Sequence, residues 1–95
     1  MRAWVEKLAK VVKNEGTYTY LGEINITNYR IKLEKFREDV SLFVSHFKTI
    51  NNEIYYDKSV NIKLYQDEYD LLHKIITDIE ESEKDLIIET FNSFE

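Results

Sequence analysis

The sequence predicts a mainly α-helical domain: an antiparallel helical hairpin in a small helical bundle, with a short β-hairpin at residues 17–27. Three observations predict it. First, apolar residues fall on two ladders with alternating steps of three and four. One is Tyr29, Leu33, Phe36, Val40, Phe43, Phe47 and Ile50; the other is Ile62, Tyr65, Tyr69, Leu72, Ile76 and Ile79. That spacing, the repeat of a coiled coil, holds one stripe of a helix against one neighbour. Second, a short polar stretch containing Asn51 and Asn52 separates the ladders, as a helix connection would. Third, the chain has only two glycines and no proline among 95 residues. Sheet-rich folds lean on those residues for their turns. The alternative is an α+β fold with a β-meander between N- and C-terminal helices.

Residues 2–14 read as an amphipathic helix, with Trp4, Val5, Leu8, Val11 and Val12 on one arc and Arg2, Lys7, Lys10 and Lys13 opposite. Gly16 follows where a helix stop belongs. Over residues 17–27 the period changes: Thr17 to Tyr20 and Glu23 to Ile26 alternate around Gly22, as a hairpin does. Thr27 or Asn28 then caps a helix to about Ile50. The run Val40 to Ser45 has β propensity, but as a strand it alternates weakly, whereas the helical template collects every ladder residue on one face.

Asn51 and Asn52 suit a helix exit, because asparagine tolerates the left-handed conformation. The next helix is expected over 58–81. Its rival is a β-hairpin from Glu53 to Tyr65, with the helix beginning only at Asp67, since Val60, Ile62 and Leu64 alternate. Ser82-Glu83-Lys84-Asp85 resembles a capping box with Asp in place of Glu. It predicts a break near Glu81 and a short last helix to about Asn92, with Leu86, Ile87 and Phe91 facing in. Leu64, Leu71 and Ile75 lie off the ladder and define a second apolar seam. Helix one, the last helix or a second copy of the chain would cover it.

The whole chain reads as one small domain, 1–95. It has no cysteine, hence no disulfide framework or thiolate chemistry. No apolar run approaches a membrane span, and the N-terminus lacks the shape of a signal peptide. A cytoplasmic setting is expected. The formal net charge of −5 is unevenly divided. Residues 1–50 carry nine Lys and Arg against six acids; residues 51–95 carry four against twelve.

Catalytic and metal chemistry find little support. His46 sits beside the first ladder as a boundary residue. Asp70 and His73 make half of a carboxylate-bridged di-metal motif, but the chain has no second such pair, so a hydrogen bond on the helix surface is expected instead. Adjacent acids such as Glu80-Glu81 splay apart on a helix and converge on no bond. No cofactor and no metal are expected.

What remains is an interaction surface. Acids concentrate late in the chain, and Asp67, Glu68, Asp70, Asp78, Glu81 and Asp85 form the candidate partner-binding face. Tyr55 and Tyr56, in the connection, are candidate interface anchors. The function expected is a small acidic non-enzymatic interaction module: an inhibitor blocking a basic, nucleic-acid-binding surface of a larger protein, like phage anti-defence inhibitors, antitoxins and immunity proteins in size and charge. Direct nucleic-acid binding is disfavoured by the acidic total, and no membrane partner is expected. The alternative is an oligomerising helical scaffold or regulator, a homo-oligomer joined through the second seam.

Overall fold

A computed structural model describes residues 1–19 and 23–93, with side chains described as far as Lys84. It is an α+β fold, not a helical bundle or coiled coil. Helix α1 (Ala3–Glu15) is followed by strands β1 (Thr17–Tyr18), β2 (Ile24–Ile26), β3 (Tyr29–Phe36), β4 (Asp39–Ile50) and β5 (Glu53–Lys63), and then helix α2 (Gln66–Ser93). The five strands form one antiparallel meander in the order β1-β2-β3-β4-β5. The alternative α+β arrangement, a meander between terminal helices, is the one found.

The helix expected over 28–50 is the β3–β4 hairpin. Cross-strand partners such as Ile31↔Val44 and Leu33↔Leu42 share a face. That face carries the core: Ile31, Val40 and Leu42 are buried beside Ile24 and Ile26 of β2. The first ladder cuts across this division. Leu33 and Val40 lie on the core face, while Phe43 and Phe47 lie on the other, because strand side chains alternate every residue. Two of the most deeply buried residues, Ile31 and Leu42, are on no ladder.

The turns from β2 to β5, all within the described residues, contain no glycine. Asn51 and Asn52 both take positive φ, 53° and 66°, as a type I′ hairpin turn requires. The property invoked for a helix exit serves a strand reversal instead. Arg37 supplies a left-handed residue between β3 and β4, and Thr27 one between β2 and β3.

The helix expected over 58–81 begins only at Gln66, since 53–63 pairs with β4 from Ile50↔Glu53 to Ser41↔Lys63. Within α2 the second ladder does face the core: Leu72 is buried, and Tyr69, Ile76 and Ile79 pack against the cluster. The break near Glu81 is absent. The helix continues through Ser82 to Ser93, and Lys84 pairs with Glu80 one turn back at 3.2 Å. A capping sequence starts a helix only where the backbone before it is extended, and here it is helical. The side chains of Leu86, Ile87 and Phe91 lie outside the described residues, as does Gly22.

Both helices lie on one face of the sheet. From α1, Val5, Ala9 and Val12 are buried, and Trp4 and Leu8 pack at the margin, whereas Val11 is exposed. Gly16 ends α1, its N–H donating to the Val12 carbonyl at 2.9 Å. A Cβ at Gly16 would lie 2.5 Å from that carbonyl oxygen and 2.9 Å from Cγ2 of Ile24. Gly16→Ala is therefore expected to cost about 1–3 kcal/mol, by overpacking the joint between α1 and β2. A urea titration of the variant measures this, and an unchanged midpoint would contradict it.

Candidate interaction surface

The acids of α2 are sorted by helix geometry. At 100° per residue, Asp67, Asp70, Asp78 and Glu81 fall within about 80° of arc and along about 21 Å of axis. All four are exposed. Lys74 is the one basic residue on this stripe. Asp85 continues the register in sequence, but its side chain lies outside the described residues.

Glu68 does not belong to that stripe. It lies off the arc and is fully buried. Its Oε1 accepts from Arg2 Nη2 at 2.7 Å and from the Tyr65 N–H at 2.9 Å. Its Oε2 accepts from Arg2 Nε at 3.0 Å and from the Arg2 backbone N–H at 3.2 Å. Tyr65 precedes the first residue of α2, so Glu68 reaches back as the third-position acid of a capping box does. Arg2 immediately precedes α1. One carboxylate therefore joins the positive ends of both helices. The Arg2 guanidinium, more than offsetting the cost of burial, holds the Glu68 carboxyl down to about 2. Glu68 is a structural residue, unavailable to a partner.

The expected Asp70–His73 bond is replaced. Asp70 accepts from Gln66 Nε2 at 2.9 Å, and His73 stacks on Tyr69 with ring centroids 5.6 Å apart. His46 lies on β4, where its Nδ1 donates to Asp57 Oδ1 at 2.6 Å. That bond, with Lys48 nearby, lowers the Asp57 carboxyl. Among the described residues no group of His, Cys, Asp and Glu could hold a metal ion. Nor, among them, is any helix long and apolar enough to cross a membrane.

Tyr55 and Tyr56 are both exposed, but not in a connection between helices; they lie on β5 and point to opposite faces of the sheet. Tyr56 pairs with Phe47 on the face away from the helices. There the Arg30 Nη1 donates to the Tyr56 hydroxyl. The Arg30 guanidinium lies over the Phe47 and Tyr56 rings, 5.8 and 5.6 Å from their centroids. It is anchored by Asn25 Oδ1 at 2.8 Å and Glu23 Oε2 at 3.2 Å. Tyr55 pairs with Lys48 on the helix side and donates to Glu53 Oε2 at 2.7 Å, a bond that holds the phenol protonated and raises its pKa. α2 packs chiefly on α1, β1, β3 and β4, so the tyrosines and the acidic stripe are separate surfaces.

The second seam is partly filled. Leu64 is buried, and Leu71 and Ile75 pack against the core. Beside α1 they border an open groove of about 800 Å³, rimmed by Lys10, Lys13, Lys74 and Asp78. No protein-family model matches the chain, and neither does any curated protein or solved structure.

Proposed function

We propose that this protein is a non-enzymatic interaction module that docks on a basic, nucleic-acid-binding surface of a larger protein and blocks it. The contact is the outer stripe of α2, and the setting that suits it is the cytoplasm. One observation carries the reading: Asp67, Asp70, Asp78 and Glu81 stand exposed along one side of a helix whose opposite side is held by Leu72 and Glu68. Carboxylates on a rigid helix need no ordering on contact. Charge so arranged chiefly speeds encounter and selects the partner.

The test is capture from a lysate of the source organism with washes of rising ionic strength. The partner should elute as salt rises from about 0.1 to 0.5 M, because exposed charge pairs are screened. A chain carrying Asp67→Asn, Asp70→Asn, Asp78→Asn and Glu81→Gln should keep its far-ultraviolet circular dichroism and lose the partner. Capture that withstands both the salt and the four substitutions would refute the electrostatic contact.

A further inference from the structure

We propose that β5 is a self-pairing edge, by which two copies of the chain join antiparallel, β5 to β5, about a two-fold axis beside Asp57 and Lys58. The two ends of the sheet differ. β1 has two residues, too few to template another strand, whereas β5 has 11 and only β4 beside it. Every β5 residue except Ile62 is exposed, Ile54, Tyr55, Tyr56 and Val60 among them. A long edge of this kind pairs with another strand unless something blocks it.

The usual block is a lysine in mid-strand, and Lys58 occupies that place. The register with β4 changes what it does. His46 faces Lys58 while Phe47 faces Tyr56, so Asp57 is the extra residue of a β-bulge. A bulge sets two consecutive residues against one partner. Asp57 binds His46 and Lys48, both on the helix side, so it shares that side with Lys58. An acid and a base therefore stand next to each other on one face at the middle of the strand. Turned through a two-fold axis, each Asp57 meets the Lys58 of the other copy. Among the described residues Lys58 makes no ion pair within its own chain.

The rest of the strand fits the same register. Tyr55 meets Val60 of the second copy, Tyr56 meets Ser59, Ile54 meets Asn61 and Glu53 meets Ile62. Each pair comes from one face of the sheet, because the bulge moves Glu53 to Tyr56 by one position relative to Ser59 to Lys63. Without the bulge, every pair would set opposite faces together.

The backbone agrees as well. The Leu64 N–H donates to the Val40 carbonyl, and the Phe47 N–H to Asn28 before β3, both at 2.9 Å. Alternation of antiparallel ladders then aims the backbone groups of Ile54, Tyr56, Ser59 and Asn61 away from β4. In the proposed register those residues face one another. Tyr55 and Val60 form the closer, non-hydrogen-bonded pairs between copies.

One strand pair buries less than the roughly 1,200 Å² of a stable complex, so a weak, reversible dimer is expected. Sedimentation of the intact chain up to about 0.5 mM should show monomer passing to dimer, a range suited to a small interface. The Lys58→Asp chain, folded by circular dichroism, should dimerise at least tenfold more weakly.

The register has its own readout, because the chain has no cysteine. A mixture of Tyr55→Cys and Val60→Cys chains should oxidise to the mixed disulfide dimer. A mixture of Tyr55→Cys and Asn61→Cys chains, whose sulfurs would lie on opposite faces, should not. A strict monomer at the highest concentration, or equal cross-linking in the two mixtures, would overturn the proposal. Neither experiment involves the acidic stripe of α2, so the two readings stand or fall separately.

Discussion

Glu68→Gln is expected to destabilise the fold by about 2 kcal/mol, and Glu68→Ala by about 3 kcal/mol, the scale of a broken buried ion pair. The first value is set at the low end because the Arg2 side chain is 37% exposed and water competes for it. The amide keeps one acceptor for the guanidinium but loses the charge that complements two helix N-termini. The alanine leaves the N–H groups of Arg2 and Tyr65 without their acceptor. Chemical denaturation at pH 7 gives both numbers.

The same carboxylate sets an acid limit. Its folded pKa, about 2, lies below the ordinary 4.5. A depressed acid stabilises the fold in full above its unfolded value, and that contribution fades as pH falls through the folded one. Stability should therefore drop between pH 4.5 and about 2. The drop should be smaller in Glu68→Gln, and equal slopes in the two proteins would rule out this origin.

What was legible in the sequence was local. The α1 arc of Val5, Leu8 and Val12 and the alternation of Ile24 and Ile26 each follow from one element facing one core. Two consecutive asparagines are the local signal of the β4–β5 turn: a helix exit uses one left-handed residue, whereas a type I′ hairpin turn uses two. The stretch from 28 to 50 misled for a physical reason. Binary patterning assumes that one face of a strand is apolar and the other polar. Here the open face holds Phe43, Phe47 and Tyr56, the last two packed under the guanidinium of Arg30. Apolar residues on both faces imitate a helical ladder.

The candidate site was legible in part for the same kind of reason. Helical spacing alone places Asp67, Asp70, Asp78 and Glu81 on one stripe. It also sets Glu68 apart, but the partner that explains this, Arg2, lies 66 residues away. A tyrosine before α2, in place of Ser or Thr, hid the capping role of Glu68. The bulge at Asp57 was equally out of reach, since it exists only in the register of β5 against β4.

Leu42→Ala is expected to cost about 3 kcal/mol and Phe43→Ala only about 1 kcal/mol, although phenylalanine is the larger residue. Leu42 is fully buried on the core face, between Leu33 and Ile62. Removing it opens a cavity that the sheet and α2 cannot both close on. Phe43 is half-buried on the face away from the helices, opposite Lys32 and Asn61. Truncating it there exposes side-chain stems to water without opening a void. A helix over these residues demands the reverse order, since Phe43 would occupy its inner stripe and Leu42 would not. Urea midpoints of the two variants settle the order. A loss at Leu42 of the size found at Phe43 would mean that the core is not where the β3–β4 register puts it. For a domain of this length, whose whole stability is about 5–10 kcal/mol, the Leu42 loss removes a large share of the margin.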